Sequence, residues 1–467
     1  MLKNPRVVEV AYQPDTASRM DALAAREWSV LLDSGWPRSR QGRFDIVAGD
    51  PYLTLTTSGM QTEIRSRDRV EVSEEDPFGI LKRHLGTPVP RDPRLPFAGG
   101  AMGYFAYDLG RRVERLPAVA ANDIALPDMA IGFYDWALVV DHLERRAWLV
   151  GEGRDEKTFD EWQSLLAAAE PETPVAFCPS FQVLSAVHAN MTRAEYADRF
   201  ERIKRYLRDG DCYQVNLTQR FSARAAGDPW DAFKYLRQLN PAPYSAFLRV
   251  PGGAVLSSSP ERFLKVCDGV VETKPIKGTR PRHADPEGDQ RMVEELRHSL
   301  KDRAENLMIV DLLRNDIGKN CAIGSVRVPT LFAVESFATV HHLVSTITGR
   351  LVPGRHALDL LRGCFPGGSI TGAPKLRAME IIEELEPHRR SVYCGAIGYI
   401  GFDGSMDTNI AIRTMVYHNG QMHAWAGGGI VTDSVMEDEY QESLDKAAAM
   451  LKLFMRTEGQ FVRDKTA

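Results

Sequence analysis

The sequence has no pair of cysteines at C-x-x-C spacing, although it contains 6 cysteines in 467 residues. They are scattered through the chain as Cys178, Cys212, Cys267, Cys321, Cys364 and Cys394. Zinc-thiolate sites and disulfide frameworks need close or regularly spaced cysteines, so the pattern predicts neither. Scattered free thiols are typical of proteins in a reducing compartment.

Long apolar runs and blocks of one charge are also missing. No stretch approaches the ~20 apolar residues that a membrane-spanning helix needs, and residues 1–12 lack the apolar core of a secretory signal. The net charge is -5, and basic runs such as residues 280–282 are short, which argues against a nucleic-acid partner. We therefore expect a cytoplasmic protein.

The two common nucleotide-binding loops are absent, since no G-x-x-x-x-G-K-[ST] segment occurs and no G-x-G-x-x-G joins a strand to a helix. Two other glycine-rich segments are present. In a loop, the triplet Gly427, Gly428 and Gly429 would let backbone N–H groups approach a carboxylate or phosphate. Residues 370–375 lead into a helix, with Pro374 suited to its first turn. A tight turn without a ligand is the alternative interpretation of the triplet.

Strand-like and helix-like segments are intermixed along the chain, separated by many short turns. A proline-rich stretch near residues 170–190 indicates a boundary between a β-rich region at residues 1–175 and a second region at residues 185–460. We expect the two regions to intertwine in one compact unit. The pattern predicts an α+β fold of large sheets with helices on the outside.

The clearest predicted helix begins after Thr192, a candidate N-cap, and ends at Gly210. Other helices are expected at residues 288–314, 356–363, 375–386 and 436–454, and strands at residues 395–402, 409–417 and 421–426. Within the helix at 288–314, the expected buried stripe consists of Leu296, Leu300, Leu307 and Val310.

Two of the expected helices carry acidic side chains paired on one face. Asp302 and Glu305 are three residues apart, as are Glu439 and Glu442, and Lys446 continues the second face. Carboxylates without a cysteine or histidine cluster favour a hard cation, and Mg2+ is typically held by one or two carboxylates with water and substrate oxygens. A solvated helix surface is the alternative.

Lys277 lies in the segment PIKGT at residues 275–279, between a proline-stiffened strand end and a glycine turn. Glu261 precedes it in the segment SPERF at residues 259–263. A lysine acts as a nucleophile when its surroundings lower its pKa, and a glutamic acid can protonate a departing hydroxyl. A solvated lysine on a turn is the alternative.

Taken together, these segments resemble the chorismate-utilising enzymes. The resemblance extends nearly continuously over residues 190–455. Its motifs are DCYQVNL at 211–217, KDRAENLM at 301–308, HHLV at 341–344, TGAPK at 371–375, GGGI at 427–430 and EYQE at 439–442, preceded by LLDS at 31–34, RFDI at 43–46 and PFAGG at 96–100. The resemblance implies the fold of anthranilate synthase component I, in which large, mostly antiparallel sheets pack together.

Two positions distinguish branches of this family. Anthranilate synthases have alanine where this chain has Lys277, and isochorismate-forming relatives have a water-activating lysine where this chain has Gln214. The resemblance therefore implies the aminodeoxychorismate-forming branch, which supplies 4-aminobenzoate for folate. Anthranilate synthesis is the nearest alternative, and a non-catalytic carboxylate-binding subunit is another.

The resemblance implies a two-step amination of chorismate. Lys277 would attack C2 while Glu261 protonates the departing 4-hydroxyl, giving a covalent lysine adduct. Ammonia would then add at C4 and expel the lysine. Because no segment resembles a glutamine amidotransferase, a separate component II subunit would supply the ammonia from glutamine.

The resemblance also implies which residues bind the metal and the substrate. Mg2+ would be held by Glu305 and Glu442, with Asp302 and Glu439 nearby, and would bind the ring carboxylate. Substrate contacts would come from Thr279, His342, Tyr399, Arg413, Gly427, Gly428, Gly429 and Lys446. Among them, Tyr399 and Arg413 would hold the enolpyruvyl carboxylate.

A further set of residues resembles the tryptophan pocket of the family, which is inhibitory in anthranilate synthases. The set consists of Ser34, Arg43, Phe44, Pro243, Tyr244 and Ser245. Asp33 stands where the anthranilate relatives have glutamate. Bound tryptophan is expected here, and its role, structural or regulatory, is open at this stage.

Overall fold

The structure is a computed structural model and describes residues 5–39, 41–168, 180–337 and 340–455. Cys178 and part of the boundary expected near residues 170–190 lie outside these ranges. Across the described ranges, no helix is both long and apolar enough to cross a membrane.

Strands predominate, and the helices are distributed among them. The strands are β1 (Arg6–Val10), β2 (Val30–Asp33), β3 (Phe44–Ala48), β4 (Leu53–Ser58), β5 (Gln61–Ser66), β6 (Val70–Ser73), β7 (Gly100–Phe105), β8 (Met129–Tyr134), β9 (Trp136–Asp141), β10 (Arg146–Gly151), β11 (Gln182–Val183), β12 (His188–Ala189), β13 (Gln214–Ala226), β14 (Tyr244–Val250), β15 (Gly253–Ser259), β16 (Arg262–Cys267), β17 (Val270–Thr273), β18 (Ile276–Pro281), β19 (Arg327–Ser336), β20 (Val340–Arg350), β21 (Gly372–Ala373), β22 (Ala396–Gly401), β23 (Met406–Ile410), β24 (Thr414–His418) and β25 (Gln421–Ile430). The α-helices are α1 (Thr16–Met20), α2 (Pro77–Leu85), α3 (Glu156–Ala168), α4 (Arg193–Asp209), α5 (Pro229–Leu239), α6 (Pro286–His298), α7 (Leu300–Gly318), α8 (Ala357–Cys364), α9 (Lys375–Leu385) and α10 (Met436–Phe454).

The strands of the described residues form two sheets of 13 and 12 strands. The main path of the first is β1-β10-β9-β3-β2-β14-β15-β24-β25-β13-β11, and that of the second is β18-β20-β17-β16-β23-β22-β7-β8-β4-β5-β6. Each sheet combines strands from the first 151 residues with strands from beyond residue 180. The expected α+β class with large antiparallel sheets is confirmed, while the division at residues 175–185 stays a prediction.

Two hydrophobic clusters separate the layers of the fold. One contains residues of both sheets, such as Val30 and Met102, and fills the space between them. The other lies between the first sheet and helices that include α5, whose Trp230 and Phe233 pack their rings on Phe247. Burying each such side chain contributes roughly 1.5–3 kcal/mol. Helices such as α5 therefore cover the outer face of the first sheet, whereas α7 packs on β18 and β20 of the second sheet.

The helix α4 confirms the prediction made from its ends. Thr192 accepts a hydrogen bond from the backbone of Glu195, and the Glu195 carboxylate accepts one from the backbone of Thr192, which is a capping box. Gly210 ends the helix with a left-handed φ of 81°.

The helix expected at residues 288–314 is instead two helices, α6 and α7, because Ser299 leaves the helical conformation and caps α7. The predicted stripe was wrong for Leu300 and Leu307, which are 83% and 52% exposed. The buried side of α7 contains Asn306, whose Nδ2 donates to the Leu343 carbonyl at 3.3 Å. A polar residue thus occupies a buried position that apolar periodicity cannot detect.

Two predicted strand boundaries also differ. The strand expected at residues 409–417 is divided into β23 and β24, with Arg413 between them at a φ of 51°. The glycine triplet lies inside β25, which was expected to end at residue 426, and pairs with β13 through Gly429 opposite Asn216. The triplet is therefore part of a sheet edge and not a separate loop.

Candidate active site

Lys277 lies on β18 at an irregularity in the sheet. The register of β18 against β20 shifts between Lys277 and Thr279, and Gly278 between them has a φ of 70°. A Cβ atom at Gly278 would lie 2.9 Å from Cγ of Asp302. Glycine is needed here for both its conformation and its size, and the bulge sets the direction of the Lys277 side chain.

Glu261 lies between β15 and β16 and is buried, with 5% of its surface exposed. Its backbone is fixed at both ends, because its N–H donates to Ser259 Oγ at 3.2 Å and its carbonyl accepts from Ile410 N at 3.0 Å. Burial raises the pKa of Glu261 to about 7, although a hydrogen bond from Ser369 and the charge of Lys277 act in the opposite direction. Glu261 can therefore hold a proton near neutral pH.

The pKa of Lys277 shifts in the opposite direction. Burial lowers it, and the positive charge of Lys446 adds to the effect, while Glu305 and Glu261 partly offset it. A lower pKa increases the fraction of neutral amine, which is the nucleophilic form. The pair thus combines a carboxyl group that can donate a proton with an amine that can attack.

Helix α10 brings two glutamates against the glycine edge of β25. A Cβ at Gly428 would lie 3.0 Å from Glu439 Oε2 and 3.5 Å from Glu442 Oε1, so glycine permits this approach. Lys446 Nζ is 2.6 Å from Glu442 Oε1 and donates to the Gly427 carbonyl at 3.1 Å. Lys446 lowers the pKa of Glu442, while burial raises that of Glu439.

Glu305 on α7 is influenced by the charges of Lys277, Lys301 and Glu439, and burial raises its pKa. The charge of Asp302 also acts on Glu305, and its carboxylate pairs with Arg280 at 3.2 Å. In the part of the chain that the structure describes, no three Asp, Glu, His or Cys side chains converge closely enough to form a metal site by themselves. The donor set still fits Mg2+, which needs only one or two carboxylates when water and substrate supply the remaining oxygens.

The inner edge of β25 is available to a ligand. β24 pairs with β25 only from Gln421 to Ala424, whereas β13 pairs with it along its length as far as Ile430. Beyond Ala424, the side of β25 that faced β24 therefore has no ladder partner among the described strands. Gly427 and Gly429 lie on this open edge. Backbone N–H groups on such an edge can bind a carboxylate.

His342 and Thr279 lie opposite each other on β20 and β18. His342 Nδ1 is 3.0 Å from Thr279 Oγ1 and 3.3 Å from the Gly278 carbonyl, while its buried Nε2 has no hydrogen-bond partner among the described residues. Burial and the charge of Arg413 lower the pKa of His342 to about 3, so the ring is neutral. Donation from Nδ1–H to Gly278 leaves Nε2 as a free acceptor.

Arg413 lies in the same region as His342, but Tyr399 does not. Arg413 adopts a left-handed backbone conformation that is uncommon for arginine and often marks a functional position. Its charge acts on His342, and its own pKa is influenced by Tyr393. Tyr399 lines a different cavity, with its ring 5.3 Å from Phe97. The tyrosine beside Arg413 is therefore Tyr393, which the sequence analysis missed.

Two other residues of the site were missed. Ser369 forms a hydrogen bond to the Glu261 side chain, and Asn216 Nδ2 donates to the Ser369 carbonyl at 3.2 Å. Asn216 lies within the DCYQVNL motif at 211–217, whereas Ser369 lies two residues before the TGAPK motif at 371–375. Their closeness in sequence to TGAPK and to Gln214 could have pointed to them. Closeness in sequence does not, however, show where a side chain points.

The cavity that Tyr399 lines has a volume of about 460 Å3. It is lined by all six residues of the predicted tryptophan pocket, Ser34, Arg43, Phe44, Pro243, Tyr244 and Ser245. Asp33 also lines it, and burial together with the charge of Asp45 raises the Asp33 pKa to about 6. The size is within the usual range for a small-molecule site.

Comparisons with known proteins agree with this geometry. The family model described as chorismate binding enzyme matches residues 34–452. Aminodeoxychorismate synthase component 1 of Klebsiella aerogenes is 52% identical over 96% of this chain and 98% of its own length. Anthranilate synthase component 1 of Thermus thermophilus is 42% identical over 91% of each chain. The crystal structure of anthranilate synthase component I from Streptococcus pneumoniae superimposes with a TM-score of 0.78, at 33% identity over 88% of this chain and 92% of that one.

Proposed function

Since the chain belongs to the family of chorismate binding enzymes, we propose that it converts chorismate and ammonia into 4-amino-4-deoxychorismate. The observation that carries the proposal is the pair formed by Lys277 and Glu261. Burial raises the pKa of Glu261 to about 7 and lowers that of Lys277, which favours the protonated carboxyl and the neutral amine that the reaction needs.

In the first displacement, the neutral Lys277 amine attacks C2 of the ring. The Nζ–C2 bond forms, the ring double bonds shift, and the C4–O bond breaks. Glu261 gives its proton to the departing hydroxyl, which leaves as water. Lys277 is then a secondary ammonium group attached to C2, and Glu261 is a carboxylate.

In the second displacement, ammonia attacks C4 and the double bonds shift back. The C2–N bond breaks, and its electrons return to Lys277, which leaves as a neutral amine. The new C4 ammonium gives a proton to Glu261, which restores both residues. The product retains the enolpyruvyl group.

The carboxylates Glu305 and Glu442 would hold Mg2+, with Glu439 completing the site. When bound, this cation would supply charge that orients the ring carboxylate and withdraws electron density from the ring. Asp302, which pairs with Arg280, supports the site from outside. Lys446 remains with the glycine edge and contacts the ring carboxylate.

The enolpyruvyl carboxylate would be bound by the Arg413 fork, with Tyr393 beside it. Thr279 and His342 would line the pocket, and the neutral His342 Nε2 can accept a hydrogen bond from the substrate. The amides at Gly427 and Gly429 would bind the ring carboxylate, while Gly428 between them leaves room for Glu439 and Glu442. The resemblance to the family supports these roles, and the charge of Arg413 that acts on His342 is consistent with a shared pocket.

The ammonia would come from glutamine through a separate amidotransferase subunit. The relative from Klebsiella aerogenes is named as component 1 of its synthase, which supports a partner for this chain. The cytoplasmic location expected from the sequence stays a prediction.

The 460 Å3 cavity would bind tryptophan. Phe44 and Tyr244 supply aromatic surface on its walls, and Ser34 and Asp33 supply polar groups. The support is that one cavity brings together all six residues named for this role.

The product formed from chorismate, Mg2+ and ammonium tests the proposal. Chromatography with mass spectrometry should detect an amino-chorismate that retains its enolpyruvyl group. Anthranilate with pyruvate would contradict the proposal and favour the activity named for the relative of Thermus thermophilus. Absence of any product would favour a non-catalytic binding subunit.

A further inference from the structure

Lys301 has a position that the proposed reaction does not use. It is on the first turn of α7, and its Nζ lies 3.7 Å from Glu439 Oε1 on α10. The Lys301 side chain is 52% exposed, whereas that of Glu439 is 3% exposed. A half-exposed ammonium group therefore lies close to an almost fully buried carboxylate.

The carboxylates that act on Lys301 are those assigned to the metal. Glu439, Glu305 and Glu442 contribute most strongly among them to its electrostatic surroundings. On the other side of the group, Lys446 pairs with Glu442 at 2.6 Å. In this structure, lysine ammonium groups balance the negative charge of both Glu439 and Glu442.

We propose that Lys301 is a counter-cation that competes with Mg2+ for Glu439, so that the metal displaces its ammonium group on binding. The inference rests on the proposed Mg2+ site. Two cations at the same carboxylate repel each other, and Mg2+ binds oxygen at about 2.1 Å, closer than an ammonium group. Lys301 can leave because its long stem reaches solvent, whereas Lys446 is also bound to the Gly427 carbonyl.

This role has two consequences. Before metal binding, Lys301 reduces the repulsion among Glu305, Glu439 and Glu442 and so stabilises the arrangement of these carboxylates. During metal binding, the same interaction opposes the cation. Lys301 would thus lower the affinity for Mg2+ and stabilise the metal-free site.

Calorimetric titration of the full chain with Mg2+, without chorismate, tests the proposal. Lys301→Gln should bind Mg2+ about fivefold more tightly than wild type, the upper range expected for removing one partly exposed ion pair. Lys301→Arg retains the charge and should bind like wild type. In thermal unfolding, metal-free Lys301→Gln should melt at a lower temperature, and Mg2+ should raise its melting temperature by more than that of wild type.

Lys319→Gln is a matched control. Lys319 is the C-cap residue of the same helix, is 54% exposed and pairs at 3.1 Å with Asp316, whose side chain is 2% exposed. Its Mg2+ affinity should equal that of wild type. Unchanged or weaker binding by Lys301→Gln would overturn the counter-cation role. Absence of binding in wild type and all variants would overturn the Mg2+ site as well, while the product assay separately decides the proposed reaction.

Discussion

The region around Lys277 and the cavity around Ser34 are both built in part on the second sheet, but they hold charge differently. In the cavity, Arg262 bonds Asp407 at 3.0 Å and Glu272 at 2.6 Å, so its charge is neutralised by direct contact. Lys277 interacts with its carboxylates by charge alone, and burial shifts its pKa. Directly paired charges form a fixed binding surface, whereas buried titratable groups that are not held in a direct ion pair can change their protonation state and take part in a reaction.

The two regions meet at consecutive residues of the chain. Glu261 belongs to the first region, and Arg262, which begins β16, lines the cavity. Successive residues near a strand point to opposite sides, so one segment can serve both. The following predictions separate the two regions experimentally.

The largest effect is expected from Lys277→Ala. Loss of the nucleophile should reduce the rate of 4-amino-4-deoxychorismate formation by at least ~10³-fold. Steady-state assays with ammonium would measure it. Lys274→Ala is the control, because Lys274 is three residues away but pairs with Glu335 at 2.6 Å, and its rate should stay near that of wild type. An active Lys277→Ala enzyme would show that Lys277 is not the nucleophile, and the proposed chemical difference between the two regions would be wrong.

Glu261→Gln should lower kcat by about 10²-fold or more, the usual range for a general acid. Because the first step needs protonated Glu261, wild-type activity should fall as pH rises above about 7, the raised pKa of this carboxyl. At low pH, activity should fall because Lys277 becomes charged. A profile of kcat/KM against pH measures both limbs. Glu261→Gln should lose the alkaline limb, and retention of that limb would assign it to another group.

Substitution of Tyr393 and of Tyr399 should change KM for chorismate to extents that differ by about tenfold. A factor of this size corresponds to the loss of one hydrogen bond to a charged group. Tyr393→Phe should raise KM, because Tyr393 lies beside Arg413. Tyr399→Phe should leave KM unchanged, because Tyr399 lines the second cavity. If Tyr399→Phe raised KM and Tyr393→Phe did not, Tyr399 would be the tyrosine of the active site.

The smallest effect on rate is expected in the cavity. Wild type should release or absorb heat on titration with tryptophan, and Tyr244→Ala should abolish the signal because an aromatic wall is lost. Its kcat for chorismate should stay within about twofold of wild type, since no residue of the catalytic pair is changed. No heat from wild type at high tryptophan concentration would remove the tryptophan proposal.

Some features were predictable because their causes are local. The capping residues Thr192 and Gly210 predicted the ends of α4, and the spacing of Glu439, Glu442 and Lys446 predicted a shared helix face, consistent with the proximity of all three to Gly428. Each rests on interactions within a few residues of sequence.

Other features depend on tertiary contacts and could not be predicted in this way. Leu300 and Leu307 follow helical periodicity, but α7 turns Asn306 inward because Leu343 and Ser345 offer it hydrogen bonds. Tyr399 was misassigned because β22 is buried along its whole length, so no alternation of polar and apolar residues identifies its face.

The central claim is that Lys277 becomes covalently attached to the ring. It is tested most directly by quenching the enzyme with chorismate and Mg2+ in the absence of ammonia, followed by proteolysis and mass spectrometry. The account predicts an adduct of dehydrated chorismate on the peptide that contains Lys277, which disappears when ammonium is added before the quench. An unmodified Lys277 peptide, in an enzyme that forms product once ammonium is supplied, would contradict it.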